Sequence, residues 1–100
     1  MPKEYGYLIN GEWHKSKNKR EILNPYNSEA VGIINIPELD EARKSVDYAQ
    51  SAYEKFKESP SHVRSANLKK IVDGIGKRKE EFAKTLVLEG GKPLKTARVE

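Results

Sequence analysis

Hydrophobic positions change their spacing along the chain, from short extended runs in the first third to a helical repeat in the rest. The runs rich in aromatic and β-branched residues are predicted as strands: Tyr5–Ile9, Glu12–Lys15, Glu21–Leu23 and Ala30–Ile36. Asn10-Gly11 joins the first two, because both residues tolerate the positive φ of a two-residue hairpin turn. Asn24-Pro25 marks a second turn. Residues 1–37 therefore predict a small antiparallel β unit.

From Glu38 onward, apolar residues recur every three or four positions, which is the spacing of one helix face. The first stripe is Leu39, Ala42, Val46, Ala49, Tyr53 and Phe56, and we expect it to pack within the molecule. The second is Val63, Ala66, Leu68, Ile71, Val72 and Ile75, and the third is Phe82, Ala83, Leu86 and Val87. Burying one large side chain stabilises a fold by about 1.5–3 kcal/mol, which outweighs helix propensity. Residues 38–100 thus predict three to four helices.

Capping residues predict where these helices begin and end. Ser59-Pro60 is typical of an N-cap followed by a first-turn proline. Gly74 and Gly76 each cost about 1 kcal/mol inside a helix, so we expect a weak point or break there. The third helix is predicted over about Lys79–Glu89.

The last stretch predicts a helix stop followed by a new start. Gly90-Gly91 is typical of a left-handed C-terminal cap, and Pro93 suits the first turn of a fourth helix. Leu94 and Ala97 begin another apolar stripe, but no glycine, proline or basic turn closes it before Glu100. We therefore expect this helix to continue into further polypeptide.

Composition limits what these 100 residues can do alone. Only 36% are hydrophobic and 34% are charged, so we expect several apolar stripes to need partners that the chain does not supply. The chain contains no cysteine, which excludes a disulfide, a thiolate metal site and a cysteine nucleophile within it. No apolar run approaches the length of a membrane span or a signal peptide. A cytoplasmic location without membrane contact is the expectation.

The formal net charge is +4, but lysines and acidic residues alternate along the helices as on a solvated face. Only Lys15–Arg20, KSKNKR, is a concentrated basic run, and we interpret it as a solvated loop between strands. The competing hypothesis is a stand-alone basic helical module that binds nucleic acid, or a protein partner whose sheet edge it covers.

No motif of known chemistry stands out. Gly74-Ile75-Gly76 lies in a helical pattern and lacks the third glycine of a dinucleotide fingerprint. Trp13 is interpreted as a packing anchor, while His14 and His62 are interpreted as solvated residues without a role. An anion site at Gly91-Lys92-Pro93 would need a phosphate cradle that is missing. We predict no catalytic, cofactor-binding or metal-binding residue in 1–100.

Four ordered motifs carry a family resemblance. The run Glu89–Glu100 resembles the E-x-G-K-P-x-x-x-A-x-x-E stretch near the front of NAD(P)-dependent aldehyde dehydrogenases. Agreement in the same order comes from Leu8–Trp13, Ile22–Glu29 and Ala52–Lys57. Members of that family are several times longer, so the chain resembles the front piece of such an enzyme.

The resemblance implies an α/β parent with a Rossmann-type cofactor domain, in which residues 1–100 form the N-terminal part of the NAD(P)-binding domain. The parent would oxidise a small aldehyde to the carboxylic acid with NAD or NADP, through a cysteine thiohemiacetal and thioester. Its cysteine, glutamate and asparagine would come from later polypeptide, so this segment would be inactive alone. The matched positions imply turn, helix-start and packing roles: Gly91, Lys92, Pro93, Ala97 and Glu100. The remainder of its own chain and identical subunits are the expected partners, without nucleic acid.

Overall fold

The computed structural model describes residues 2–100 and places all strands of this range before all helices. The strands are β1 (Lys3–Tyr5), β2 (Tyr7–Ile9), β3 (Glu12–His14), β4 (Lys19–Leu23) and β5 (Ala30–Asn35). The helices are α1 (Leu39–Phe56), α2 (Ser61–Lys77), α3 (Lys79–Gly90) and α4 (Leu94–Val99). This order confirms the predicted class of a small β unit followed by helices.

Strands β2 and β3 form the predicted hairpin. Asn10 and Gly11 form its turn with φ values of 51° and 76°, the left-handed geometry that asparagine and glycine tolerate. The antiparallel register places Leu8 opposite Trp13 on one face and Tyr7 opposite His14 on the other. The hairpin is a separate two-stranded sheet.

The other sheet has the order β1-β5-β4 and is only partly antiparallel. β4 and β5 pair antiparallel as predicted, but β1 pairs parallel to β5, with Glu4 beside Ile33. A continuous strand from Tyr5 to Ile9 was therefore the wrong prediction. The chain leaves one sheet for the other at Gly6, where an added Cβ would lie 2.5 Å from the carbonyl oxygen of His14.

Asn35 joins the elements of this β region. Its side chain is only 5% exposed, and all its polar atoms have partners. Oδ1 accepts a hydrogen bond from the Ser16 amide at 2.9 Å. Nδ2 donates to the carbonyl oxygen of Tyr5 at 2.9 Å and to Oε1 of Glu4 at 3.0 Å. One buried amide thus links β1, β5 and the segment after β3.

Helix boundaries follow the predictions to within one or two residues, with two corrections. α2 begins at Ser61 with Pro60, not Ser59, in the N-cap position, and no side chain caps it. It also runs through Gly74 and Gly76 and breaks only at Arg78, whose φ of −109° and ψ of 22° separate it from α3. Glycine weakens a helix but does not forbid helical φ and ψ, so the helix continues to a less favourable junction.

Two compact units make up the chain. One contains the residues up to Leu23 together with Ala30–Glu58, and the other contains Asn24–Glu29 together with Ser59–Glu100. In the second unit α4 packs against α3, where Ala83 and Ala97 are the buried hydrophobic residues of the described chain. Arg98 adds a two-pronged ion pair with Glu80 at 3.0 and 3.2 Å.

Large apolar side chains on the α1 and α2 stripes stay exposed. Those of α1 with more than two fifths of their surface open to solvent include Leu39, Val46, Tyr53 and Phe56, and those of α2 include Leu68, Ile71, Val72 and Ile75. The expectation that the α1 stripe packs within the molecule is therefore wrong for this chain. These stripes meet too little of residues 2–100 to be covered by them.

Candidate functional site

A groove of about 260 Å³ lies between the β2–β3 hairpin and α1, both in the first unit. The hairpin wall consists of Ile9, Asn10, Glu12 and His14, and the helix wall of Glu41, Lys44 and Tyr48. The three helix residues are three and four positions apart, so the α-helical repeat brings them onto one face. The turn at Asn10 and the strand pairing fix the opposite wall.

Tyr7 connects the hairpin to α1 beside this groove. Its hydroxyl donates a hydrogen bond to the Glu41 carboxylate. That bond, together with partial desolvation and the negative charges of Glu41, Glu38 and Asp40, raises the pKa of Tyr7 to about 12. The phenol therefore holds its proton, and the contact is a neutral donor on a carboxylate.

The solvent exposure of His14 and of Trp13, both in the hairpin, differs from the prediction. The ring of His14 is half-buried and stacks on Tyr7, with centroids 5.7 Å apart and planes inclined by 18°. It is thus part of the groove wall and not a solvated bystander. Trp13 is 74% exposed, so it does not anchor any packing among the described residues.

The basic run Lys15–Arg20 forms the predicted solvated loop and the start of β4. Lys19 forms an ion pair with Glu4 at 2.6 Å, and this contact, reinforced by the Asn35 amide, lowers the pKa of the Glu4 carboxyl. Lys15 and Lys17 are exposed. Binding of nucleic acid through this run stays the competing hypothesis, which a salt-dependent gel shift tests.

The family-motif residues cluster around the α3–α4 junction and have structural contacts. Gly91 caps the C-terminus of α3 in the left-handed conformation with φ of 69°, as predicted. Pro93 precedes α4 in the N-cap position and does not lie in its first turn, a shift of one residue from the prediction. Lys92 forms an ion pair with Glu100 across α4, and Ala97 is 4% exposed.

The turn from β5 into α1 lacks the glycine-rich sequence that holds the phosphates of a dinucleotide. Dinucleotide folds hold the pyrophosphate at a glycine-rich turn from a strand into a helix. Here β5 leads into α1 through residues 36–38 without a glycine, and Glu38, Asp40 and Glu41 place negative charge at that helix start. These residues would repel a pyrophosphate, so they do not fit the cofactor.

Within residues 2–100, no three histidine, cysteine or carboxylate side chains come close enough to hold a metal ion. None of the helices in that range has the length and apolar character needed to cross a membrane. The groove of the first unit and the α3–α4 junction of the second unit both bring polar side chains together. The sequence patterns pointed to the second but not to the first.

Comparison with known proteins yields one consistent family. The model of the aldehyde dehydrogenase family matches residues 13–100. Lactaldehyde dehydrogenase of Methanocaldococcus jannaschii is 36% identical over 93 residues, covering 93% of this chain and 20% of that protein. 3-Sulfolactaldehyde dehydrogenase of Priestia aryabhattai is 37% identical over 98 residues, which cover 98% of this chain and 20% of that protein.

Solved structures agree at the level of the backbone. The crystal structure of lactaldehyde dehydrogenase from Escherichia coli matches with a TM-score of 0.93 at 28% identity, over 99% of this chain and 21% of that one. Aldehyde dehydrogenase 21 from Physcomitrella patens, solved in complex with the reaction product succinate, matches with a TM-score of 0.94 at 26% identity. The match covers 99% of this chain and 21% of that one. The chain thus spans about a fifth of the length of the relatives it matches.

Proposed function

The chain belongs to the aldehyde dehydrogenase family, and on that premise we propose that it works as the N-terminal part of the NAD(P)-binding domain of such an enzyme. The whole enzyme would oxidise a small aldehyde to the carboxylic acid with NAD(P)⁺. The observation that carries this proposal is the family match over residues 13–100, with relatives at 36–37% identity. Enzymes of this family are NAD(P)-dependent.

The segment would contribute framework and no reactive group. A thiohemiacetal and a thioester require a thiolate, and this chain has no cysteine. The nucleophile, the glutamate base and the oxyanion-binding asparagine would therefore come from the remaining four fifths of an enzyme of the relatives' length. The acidic residues in the first turn of α1 support a purely structural role for this segment, because their negative charge disfavours binding of the cofactor phosphates at that helix N-terminus.

Partners follow from the same proposal. The exposed apolar stripes of α1 and α2 would be covered by the rest of the enzyme, and the complete protein would form a homo-oligomer. The relatives named above act on lactaldehyde and 3-sulfolactaldehyde, which supports a small aldehyde as the substrate class.

A chimera tests this role directly. The matched N-terminal residues of the Methanocaldococcus jannaschii lactaldehyde dehydrogenase are replaced by this chain, and NAD(P)⁺ reduction by lactaldehyde is measured. We expect the chimera to oxidise lactaldehyde and the isolated 100-residue chain to give no turnover. Ala97→Asp in the chimera should abolish activity, because it places a carboxylate in the buried α3–α4 contact.

Two outcomes contradict the proposal. One is aldehyde oxidation by the isolated chain. The other is a chimera that folds and assembles like its parent but has no activity, since a framework segment of the same family should leave the active site intact. Exposed Lys95, two residues before Ala97 on α4, offers a matched control, because Lys95→Asp places the same carboxylate in solvent.

A further inference from the structure

The groove between the hairpin and α1 carries opposite charges that do not pair with each other. Glu12 lies on the hairpin wall and Lys44 on the helix wall. Among residues 2–100, no cation forms an ion pair with Glu12 and no carboxylate forms one with Lys44. The Glu12 carboxylate and the Lys44 ammonium are thus too far apart for a direct ion pair.

One of the carboxylates a helical turn away from Lys44, that of Glu41, already accepts a hydrogen bond. Glu41 is one turn before Lys44, the usual spacing for a helical ion pair, but it accepts the hydrogen bond from Tyr7 instead. The Tyr7 contact and the stack of His14 on Tyr7 hold the two walls in place. Lys44 and Glu12 therefore line a preformed groove, and neither forms an ion pair within residues 2–100.

We propose that this groove binds a small zwitterion carrying one ammonium and one carboxylate group, of the size of a small α-amino acid. The ligand carboxylate would bind the Lys44 ammonium and the Asn10 amide, and the ligand ammonium would bind the Glu12 carboxylate. The Tyr48 hydroxyl offers one further hydrogen bond. This binding is separate from aldehyde oxidation and does not depend on it.

Size and charge select this class over others. Pockets for drug-sized ligands have volumes of roughly 300–1,000 Å³, so a groove of about 260 Å³ suits a smaller molecule. A ligand with only a carboxylate would face Glu12 and Glu41 as like charges, and one with only an ammonium would face Lys44. A zwitterion satisfies both walls at once.

The probe for the test is glycine, compared with acetate and methylammonium, each titrated into the isotopically labelled full chain at constant ionic strength. We expect glycine to shift the backbone amide signals of Asn10, Lys44 and Tyr48 in a saturable manner. A few charge-assisted contacts in an open groove correspond to a dissociation constant on the order of 1 mM. Acetate and methylammonium should each bind at least about tenfold more weakly, since each lacks one charged contact.

Charge removal on α1 locates the site. Lys44→Met should weaken glycine binding by about tenfold or more. Arg43→Met removes the same charge one residue earlier, outside the groove lining, and should leave binding unchanged. The proposal is overturned if glycine causes no saturable shift, if acetate or methylammonium binds as well as glycine, or if folded Lys44→Met protein binds normally. The comparison of the three probes on the unsubstituted chain decides the matter even if Lys44→Met does not fold.

Discussion

Gly91 is the residue whose identity the backbone restricts most strongly in the second unit. Its φ of 69° lies in the left-handed region, and an added Cβ would lie 2.9 Å from Cγ of Pro25. Both the conformation and the space therefore exclude a side chain. Gly90, its neighbour, ends α3 with only Cγ of Lys92 near an added Cβ, at 4.0 Å.

This contrast predicts opposite effects from the same substitution. Gly91→Ala should lower the free energy of unfolding by about 1–3 kcal/mol, from backbone strain and the contact with Pro25. Gly90→Ala should leave it unchanged or raise it by up to about 1 kcal/mol, because alanine favours the last helical turn. Urea denaturation of the two variants measures both. Equal destabilisation by the two substitutions would contradict this account.

The Tyr7–Glu41 contact predicts a loss of stability at alkaline pH. The folded-state pKa of Tyr7 is about 12, against an ordinary value of 10.0. Between these values the unfolded chain has released the phenolic proton while the folded chain retains it, so stability falls as pH rises through this window. Below pH 10 the contribution is fully present.

Absorbance of tyrosinate measures this directly. The difference between the titration curves of the unsubstituted chain and Tyr7→Phe should show one phenol with a midpoint of about 12. Glu41→Gln should move that midpoint back toward 10.0, because the charge that retains the proton is gone. A Tyr7 that titrates at its ordinary value in the unsubstituted chain would rule out the contact.

Local sequence patterns did not reveal the residues that join distant segments. Tyr7 and Glu41 are 34 positions apart, and Asn35 reaches Glu4 across 31 positions. Such contacts have no periodicity, and single polar side chains of these types occur throughout a surface. Gly91 could be predicted because its role depends only on the helix stop beside it.

At the scale of elements, the existence and type of each element and the pairing of strands adjacent in sequence were predictable, whereas the pairing of β1 with β5 was not. The hairpin, the strands β4 and β5, and the helices follow from period-2 and period-3.6 patterns within each segment. The parallel pairing of β1 with β5 joins residues about 30 positions apart, and nothing in Lys3–Tyr5 itself specifies its partner. The exchange of sheets at Gly6 is likewise a consequence of pairing and not of local preference.

Helix α2 offers a test of how glycine acts within an element. An added Cβ at Gly74 or Gly76 meets no atom within 4 Å, and both residues are helical. Alanine at both positions should therefore raise the free energy of unfolding by about 1–2 kcal/mol, through higher helix propensity and a less flexible unfolded chain. Thermal unfolding followed by far-ultraviolet circular dichroism measures the change. Destabilisation by the double substitution would show that these glycines fit against something closely packed.

At the scale of the whole molecule, residues 2–100 bury few of their hydrophobic side chains. The buried hydrophobic residues among 2–100 are two alanines, while large apolar residues of α1 and α2 are exposed. The low hydrophobic fraction predicted this deficit of burial. Under the proposed function the rest of the enzyme would cover these stripes, and this sequence alone does not predict which residues would do so.

The consequence for mutation depends on context. Val72 is 67% exposed, so Val72→Lys should change the stability of the isolated chain by less than about 0.5 kcal/mol. In the lactaldehyde dehydrogenase chimera the same lysine should reduce assembly and activity severely, because a charge would be buried without a partner. Asp73→Lys, at the adjacent exposed position, should be harmless in both settings. Full activity of the Val72→Lys chimera would mean that this stripe is not covered.

Trp13, on the outward face of the hairpin opposite Leu8, is the single indole of the chain. Because its side chain is largely in water, we expect its fluorescence emission to lie near the long-wavelength limit of tryptophan and to be readily quenched by iodide. Any polypeptide that covers this face moves the emission toward the blue and shields it from the quencher. The molecule thus contains its own optical reporter of whether the hairpin is free or docked.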